Sequence, residues 1–324
     1  MDIVIDQRME LLTSLEFLSN CVDPGFMALT KFETSYKKDF IKYFSPYKDH
    51  QAVELYTKMS ISGFSLDGSA AAMFHLSNPP YLKIERPFEE WMIQRANGKD
   101  QLENFIHLLR EFAIETRFVE FFEKHEEAFQ KMIIDSKKEL IASKIIKPIE
   151  SYYGAKQHSY TVLLLPLFRQ GGNGFRIRRD EDTYDAYAII GPAGVKDTLP
   201  YFDSTKTFTL WHEFSHHFVD PMTEKFEDEL RPKFQSLSDK RQDYPAWENI
   251  VNEYIIRGIT ARLAFHYEGN EFALRVLKSE RGEGFIHIDS VYNKLKEYES
   301  DRETYDKLIK FYPRIIEVLE KSLM

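Results

Sequence analysis

The chain has 324 residues, 43% hydrophobic and 15% aromatic, with a formal net charge of −9. That is enough apolar material for one large core or two ordinary ones, which makes the class globular. The acidic balance lacks the basic footprint of a nucleic-acid binder and argues against an anionic membrane surface as partner.

In chain order, residues 8–20 place Met9, Leu11, Leu12, Leu15, Phe17 and Leu18 near one helical stripe. A loop-rich stretch follows, punctuated by residues 63–69 and by Asn78-Pro79-Pro80. Residues 99–138 carry Leu102, Phe105, Ile106, Leu109, Phe112, Ala113, Phe118, Phe121 and Phe122, an amphipathic pattern that predicts two helices or one long one. The middle changes character. Residues 160–167, 175–179 and 184–190 read as strands, separated by Gly171-Gly172-Asn173-Gly174 and closed by Gly191-Pro192-Ala193-Gly194, so about three strands form a small sheet. Helices return at 207–219, ended by Pro221, then at 247–267, 288–298 and 302–319. The expected fold is α+β and mostly helical, with a soft boundary near residue 145 between a helical N-terminal region (1–145, of unassigned role) and a catalytic domain (146–324).

The segment that carries chemistry is Leu210-Trp211-His212-Glu213-Phe214-Ser215-His216-His217-Phe218-Val219-Asp220, which contains H-E-x-x-H. A helix turns about 100° per residue, so His212 and His216 lie about 40° apart on one face, one turn apart. Two imidazoles placed so can bind one metal ion together, and Glu213, on the same side, can take a proton from a metal-bound water. Leu210, Trp211, Phe214 and Phe218 fall on the opposite, apolar face. A surface helix matching the pattern by accident is the competing reading.

A catalytic zinc takes three protein ligands and leaves a position for water. A third histidine at position 222 would need Gly at 219, and the chain has Val219 and Met222. Glu253 is the better candidate. It sits among Ile250, Val251, Ile255, Ile256 and Ile259, where a charge is rarely buried unless paired. The alternative is a plain i,i+4 ion pair with Arg257. His217 points about 100° away from His216 and is more often a polar neighbour than a ligand.

H-E-x-x-H followed by Asn252-Glu253 on a second helix resembles the gluzincin metallopeptidases, thermolysin and its relatives, over about residues 210–262. The resemblance implies a zincin-like domain, Zn2+ as cofactor, Glu253 as third ligand and a peptide or protein as substrate. The chain as a whole also looks like a bacterial zincin-type family in which H-E-F-S-H follows a Gly-Pro-ended strand. In the gluzincins an Asp one turn after the ligand Glu supports a histidine; here that place is Arg257, which departs from the pattern. Arg257 is left either to hold Glu253 or to meet a substrate carboxylate or oxyanion. Asp220, one turn after His216, could orient an imidazole from behind. The resemblance also implies an edge strand ahead of the motif helix, along which substrate lies. Residues 186–194 occupy that place, and the small Ala188 and Gly191 would let a backbone approach. Tyr254, Tyr187, His287 and Tyr292 are the candidate oxyanion donors.

The expected function is a zinc-dependent hydrolase, a peptidase with Glu213 as general base. The alternative is a non-proteolytic zinc protein that binds a peptide or partner in the same groove. The lone Cys21 excludes an intrachain disulfide and a Cys-based zinc site. No apolar run approaches the roughly 20 residues that cross a bilayer. At face value the chain reads as cytoplasmic, with secretion open if a leader was removed.

Overall fold

The computed structural model describes residues 1–19, 29–65, 67–180, 183–239 and 246–323. Cys21 lies outside them. The chain is mostly helical with a small sheet, in keeping with the α+β expectation. It divides into two compact units. One comprises Met1–Ile141 and Ser159–Lys206, the other Ala142–His158 and Thr207–Met324. The expected cut near residue 145 falls close to the first crossing, but the sheet groups with the N-terminal helices and not with the motif helix.

The first unit begins with β1 (Asp2–Val4), then α1 (Gln7–Leu18), α2 (Ser35–Phe44), α3 (Gln51–Ile61), α4 (Asp67–Met73), α5 (Glu90–Arg95), α6 (Lys99–Glu115), α7 (Phe118–Lys124) and α8 (Glu126–Glu139). The predicted helical stretch 99–138 is thus three helices. The first break is at Arg117, whose φ of 50° is left-handed and cannot continue a right-handed helix. Tyr36, Phe40, Phe44, Phe118, Phe121 and Phe129 pack as an aromatic core among these helices. Such rings favour the tilted and edge-on contacts seen between them.

The sheet follows with β2 (Ser159–Leu164), β3 (Gly172–Arg178) and β4 (Tyr184–Ile190), then a hairpin of β5 (Gly194–Lys196) and β6 (Leu199–Tyr201). Its order is β1-β2-β4-β3; β1 and β4 run parallel to β2, and β3 runs antiparallel to β4. Three residues of β1 are too few to show a period, so sequence alone gives three strands where there are four. β4 pairs on both sides, with Ala188 opposite Val162 and Gly174. This corrects the expected substrate edge. Ala188 is buried within an interior strand, whose ladder groups are already used. Gly191 is small for a different reason. A Cβ there would stand 1.8 Å from the Arg169 carbonyl oxygen, so the close approach is made by the chain's own backbone.

The second unit is built from α9 (Ala142–Tyr153), α10 (Lys206–Lys225), α11 (Glu227–Phe234), α12 (Trp247–Glu268), α13 (Asn270–Gly282), α14 (Ile288–Ser300) and α15 (Leu308–Leu323). α12 is buried along most of its length and packs on α13 and α14. Gly258 in α12 lets α14 come close; a Cβ there would be 2.6 Å from Val291 Cγ1.

Four of these helices contain an interior proline, Pro148 in α9, Pro221 in α10, Pro232 in α11 and Pro313 in α15; in the first two a side chain answers the carbonyl four residues back. α10 does not stop at Pro221, as the sequence suggests, but runs on to Lys225. Proline has no N–H for the carbonyl four residues back, so the His217 oxygen lacks that helical donor. Gln157 Nε2 donates to that oxygen at 2.8 Å. In α9 Pro148 frees the Lys144 carbonyl in the same way, and Trp211 Nε1 donates to it at 3.2 Å. Replacing Gln157 by Ala removes this hydrogen bond to the His217 carbonyl. The expected cost is about 1–3 kcal/mol, read as a lowered midpoint in urea with an unchanged slope. Among the described residues no helix is long and apolar enough to cross a membrane.

Candidate metal centre

α10 presents His212 and His216 one turn apart, with ring centroids separated by 5.2 Å. α12 brings Glu253 to them. Glu253 Oε1 is 3.6 Å from His212 Nε2 and 3.5 Å from His216 Nε2. One donor atom from each of the three residues lies within 4.8 Å of the other two. Among the described residues this is the one group of three or more His, Cys, Asp or Glu side chains that could hold a metal ion. With bonds of about 2.1 Å, tetrahedral ligands stand about 3.4 Å apart. The Oε1–Nε2 separations are close to that edge length, so the residues present fit a small divalent ion.

Glu253 is only 7% exposed. Burial would raise its pKa, but His212, His216 and Arg257 outweigh burial and hold the carboxyl well below its usual range. Burial would lower the pKa of His216, but Asp220 and Glu253 hold it well above the usual imidazole range. The buried charges thus answer one another, and a cation bound here would take the place of the proton on His216.

The groups around the ligands form two lines. Asp220 Oδ1 is 3.2 Å from His216 Nδ1 and accepts a hydrogen bond from Asn252 Nδ2 at 3.0 Å. The Asn252 carbonyl oxygen accepts from the Thr223 hydroxyl, which is 2.7 Å from the Tyr312 hydroxyl of α15. His216 is therefore oriented from behind through four further residues on α10, α12 and α15. Thr223 takes part only because α10 continues beyond Pro221. On the other side Arg257 Nε donates to Glu253 Oε2 at 2.6 Å, and Arg257 also pairs with Glu280 and Glu283. One Glu253 oxygen meets the imidazoles and the other makes the i,i+4 ion pair.

Glu213 is buried beside His212, 7% exposed. His217 is fully buried, with its ring 6.0 Å from Phe214. Tyr254 is buried against Phe285, and Tyr292 is buried under the Arg262 guanidinium. His287 precedes α14 and is outside the three-residue cluster. Tyr187 belongs to the sheet of the first unit, stacked on Phe175. Thr223, Tyr312, Glu280 and Glu283 escape sequence reasoning. The one available signal was Glu280 among the apolar positions of α13, Ala273, Val276 and Leu277.

Comparison with curated proteins returns no match, and comparison with solved structures returns none. A family model described as "Domain of unknown function (DUF4932)" matches residues 1–318. The match covers nearly the whole chain, the His212, His216 and Glu253 cluster included, and the chain therefore belongs to the DUF4932 family.

Proposed function

We propose that this protein is a zinc-dependent hydrolase, a peptidase of the gluzincin kind. The observation that carries the reading is the convergence of His212 Nε2, His216 Nε2 and Glu253 Oε1 from two helices. Two imidazoles and one carboxylate are the donor set of a catalytic zinc with a position left open. When bound, zinc supplies a Lewis acid and a water of lowered pKa. Asp220 holds the His216 ring by its Nδ1 side, which leaves Nε2 to face the ion. Glu213 takes the proton from the attacking water and passes it to the leaving amine.

The test is purification without chelators, followed by elemental analysis and a broad peptide-library digest. One zinc per chain is expected, with cleavage abolished by a chelator and restored by added zinc. A chain with neither bound zinc nor uptake on addition overturns the metal centre. Zinc without cleavage of any peptide overturns the peptidase and leaves a metal-holding binding protein.

A further inference from the structure

The two oxygens of Glu253 face different groups. Oε1 looks onto the imidazoles at 3.6 and 3.5 Å, while Oε2 accepts the Nε–H of Arg257 at 2.6 Å. Arg257 is itself fixed from several directions. It pairs with the buried Glu280, donates to Glu283 at 3.1 Å and lies over the Phe285 ring at 4.2 Å. These contacts draw the guanidinium toward α13 and the residues after it.

A carboxylate beside a dication can bind through one oxygen or through both. Binding through both would add a fifth bond to the two imidazoles, one carboxylate oxygen and one water of a four-coordinate site. A charge-assisted hydrogen bond to Oε2 competes with the second metal bond and fixes the carboxylate plane. We propose that Arg257 is a positioning residue that holds Glu253 as a one-oxygen ligand and so keeps the site four-coordinate, with one of the four positions left for water or substrate. The residue that breaks the gluzincin pattern thereby sets the coordination number. The inference rests on the metal centre proposed above.

Cobalt is a direct probe, because its visible absorption is strong in four-coordinate sites and weaker in five-coordinate ones. The full-length protein loaded with Co2+ is compared with Arg257→Met, Arg257→Lys and the double variant Arg257→Met/Glu280→Gln. The double variant removes the carboxylate that Arg257→Met would leave buried and unpaired. The intact protein should give a strong four-coordinate band. The Met variants should keep one cobalt per chain while the band falls at least two-fold. Lys, which still offers a cation to Oε2, should recover most of it. An unchanged band in a cobalt-loaded Met variant overturns the inference, as does loss of cobalt from a folded double variant. Failure of the intact protein to bind cobalt or zinc sinks the metal centre itself.

Discussion

Replacing Glu213 by Gln is expected to leave zinc in place and to lower kcat by about 10²–10⁴, the usual contribution of a positioned general base. The substitution is nearly isosteric. Glu213 is 7% exposed, so its packing counts, and an amide of the same size preserves it. The proposed ligands are untouched: His212 and His216 come from other positions on α10 and Glu253 from α12. What disappears is the ability to hold a proton between the attacking water and the leaving amine. KM should stay within about two- to three-fold of its original value, since a loss confined to the transition state lowers kcat. Elemental analysis and steady-state kinetics on the same preparation decide the matter. Full turnover with zinc bound would refute the role of Glu213.

The second large effect concerns the first unit and pH. Glu10 on α1 is 1% exposed and accepts a hydrogen bond from the Tyr36 hydroxyl. Burial pushes its carboxyl up to about 7 from an ordinary value of 4.5; the Tyr36 bond opposes the shift and nearby Asp6 adds to it. The folded chain therefore holds this proton more tightly than the unfolded chain. Stability from Glu10 is fully present below about pH 4.5 and is lost as pH rises toward about 7. At 1.36 kcal/mol per pH unit the loss is about 3 kcal/mol. Glu10→Gln keeps an acceptor for Tyr36 and cannot ionise. Urea unfolding at pH 5 and pH 7.5 should show the native protein losing about 2 kcal/mol more than the variant. Parallel changes in the two proteins would remove Glu10 from the account.

The readable parts of the site share one property: they are periodic along a single helix. His212, Glu213 and His216 are fixed relative to one another by 3.6 residues per turn, and Glu253 declares itself as a charge inside an apolar helix. Arg257 is also in phase with Glu253. Sequence spacing presents its ion pair as a rival to ligation, because spacing counts residues whereas a carboxylate offers two separate oxygens. The support of His216 through Asn252, Thr223 and Tyr312 joins three helices and has no period to follow. Pro221 hid it further, since a local rule ends the helix before Thr223. The sheet was read strand by strand, but strand order is a long-range property. Only the pairing of β1 with β2, about 160 residues apart, and of β4 with both neighbours shows that Ala188 lies inside the sheet.

Pro148 and Pro221 make α9 and α10 mutually dependent. Each helix carries one gap in its ladder, and each gap is closed by a side chain from outside that helix. Trp211, next to His212, serves Lys144; Gln157, just after α9, serves His217, next to His216. The turn that bears both imidazoles is thus stitched at each end. Swapping either proline for alanine, ordinarily a stabilising choice in a helix, would set a new backbone amide against the indole or the carboxamide for a single oxygen. The loser of that contest would release one end of the imidazole-bearing turn, so a stiffer helix would come with a looser hold on the ion.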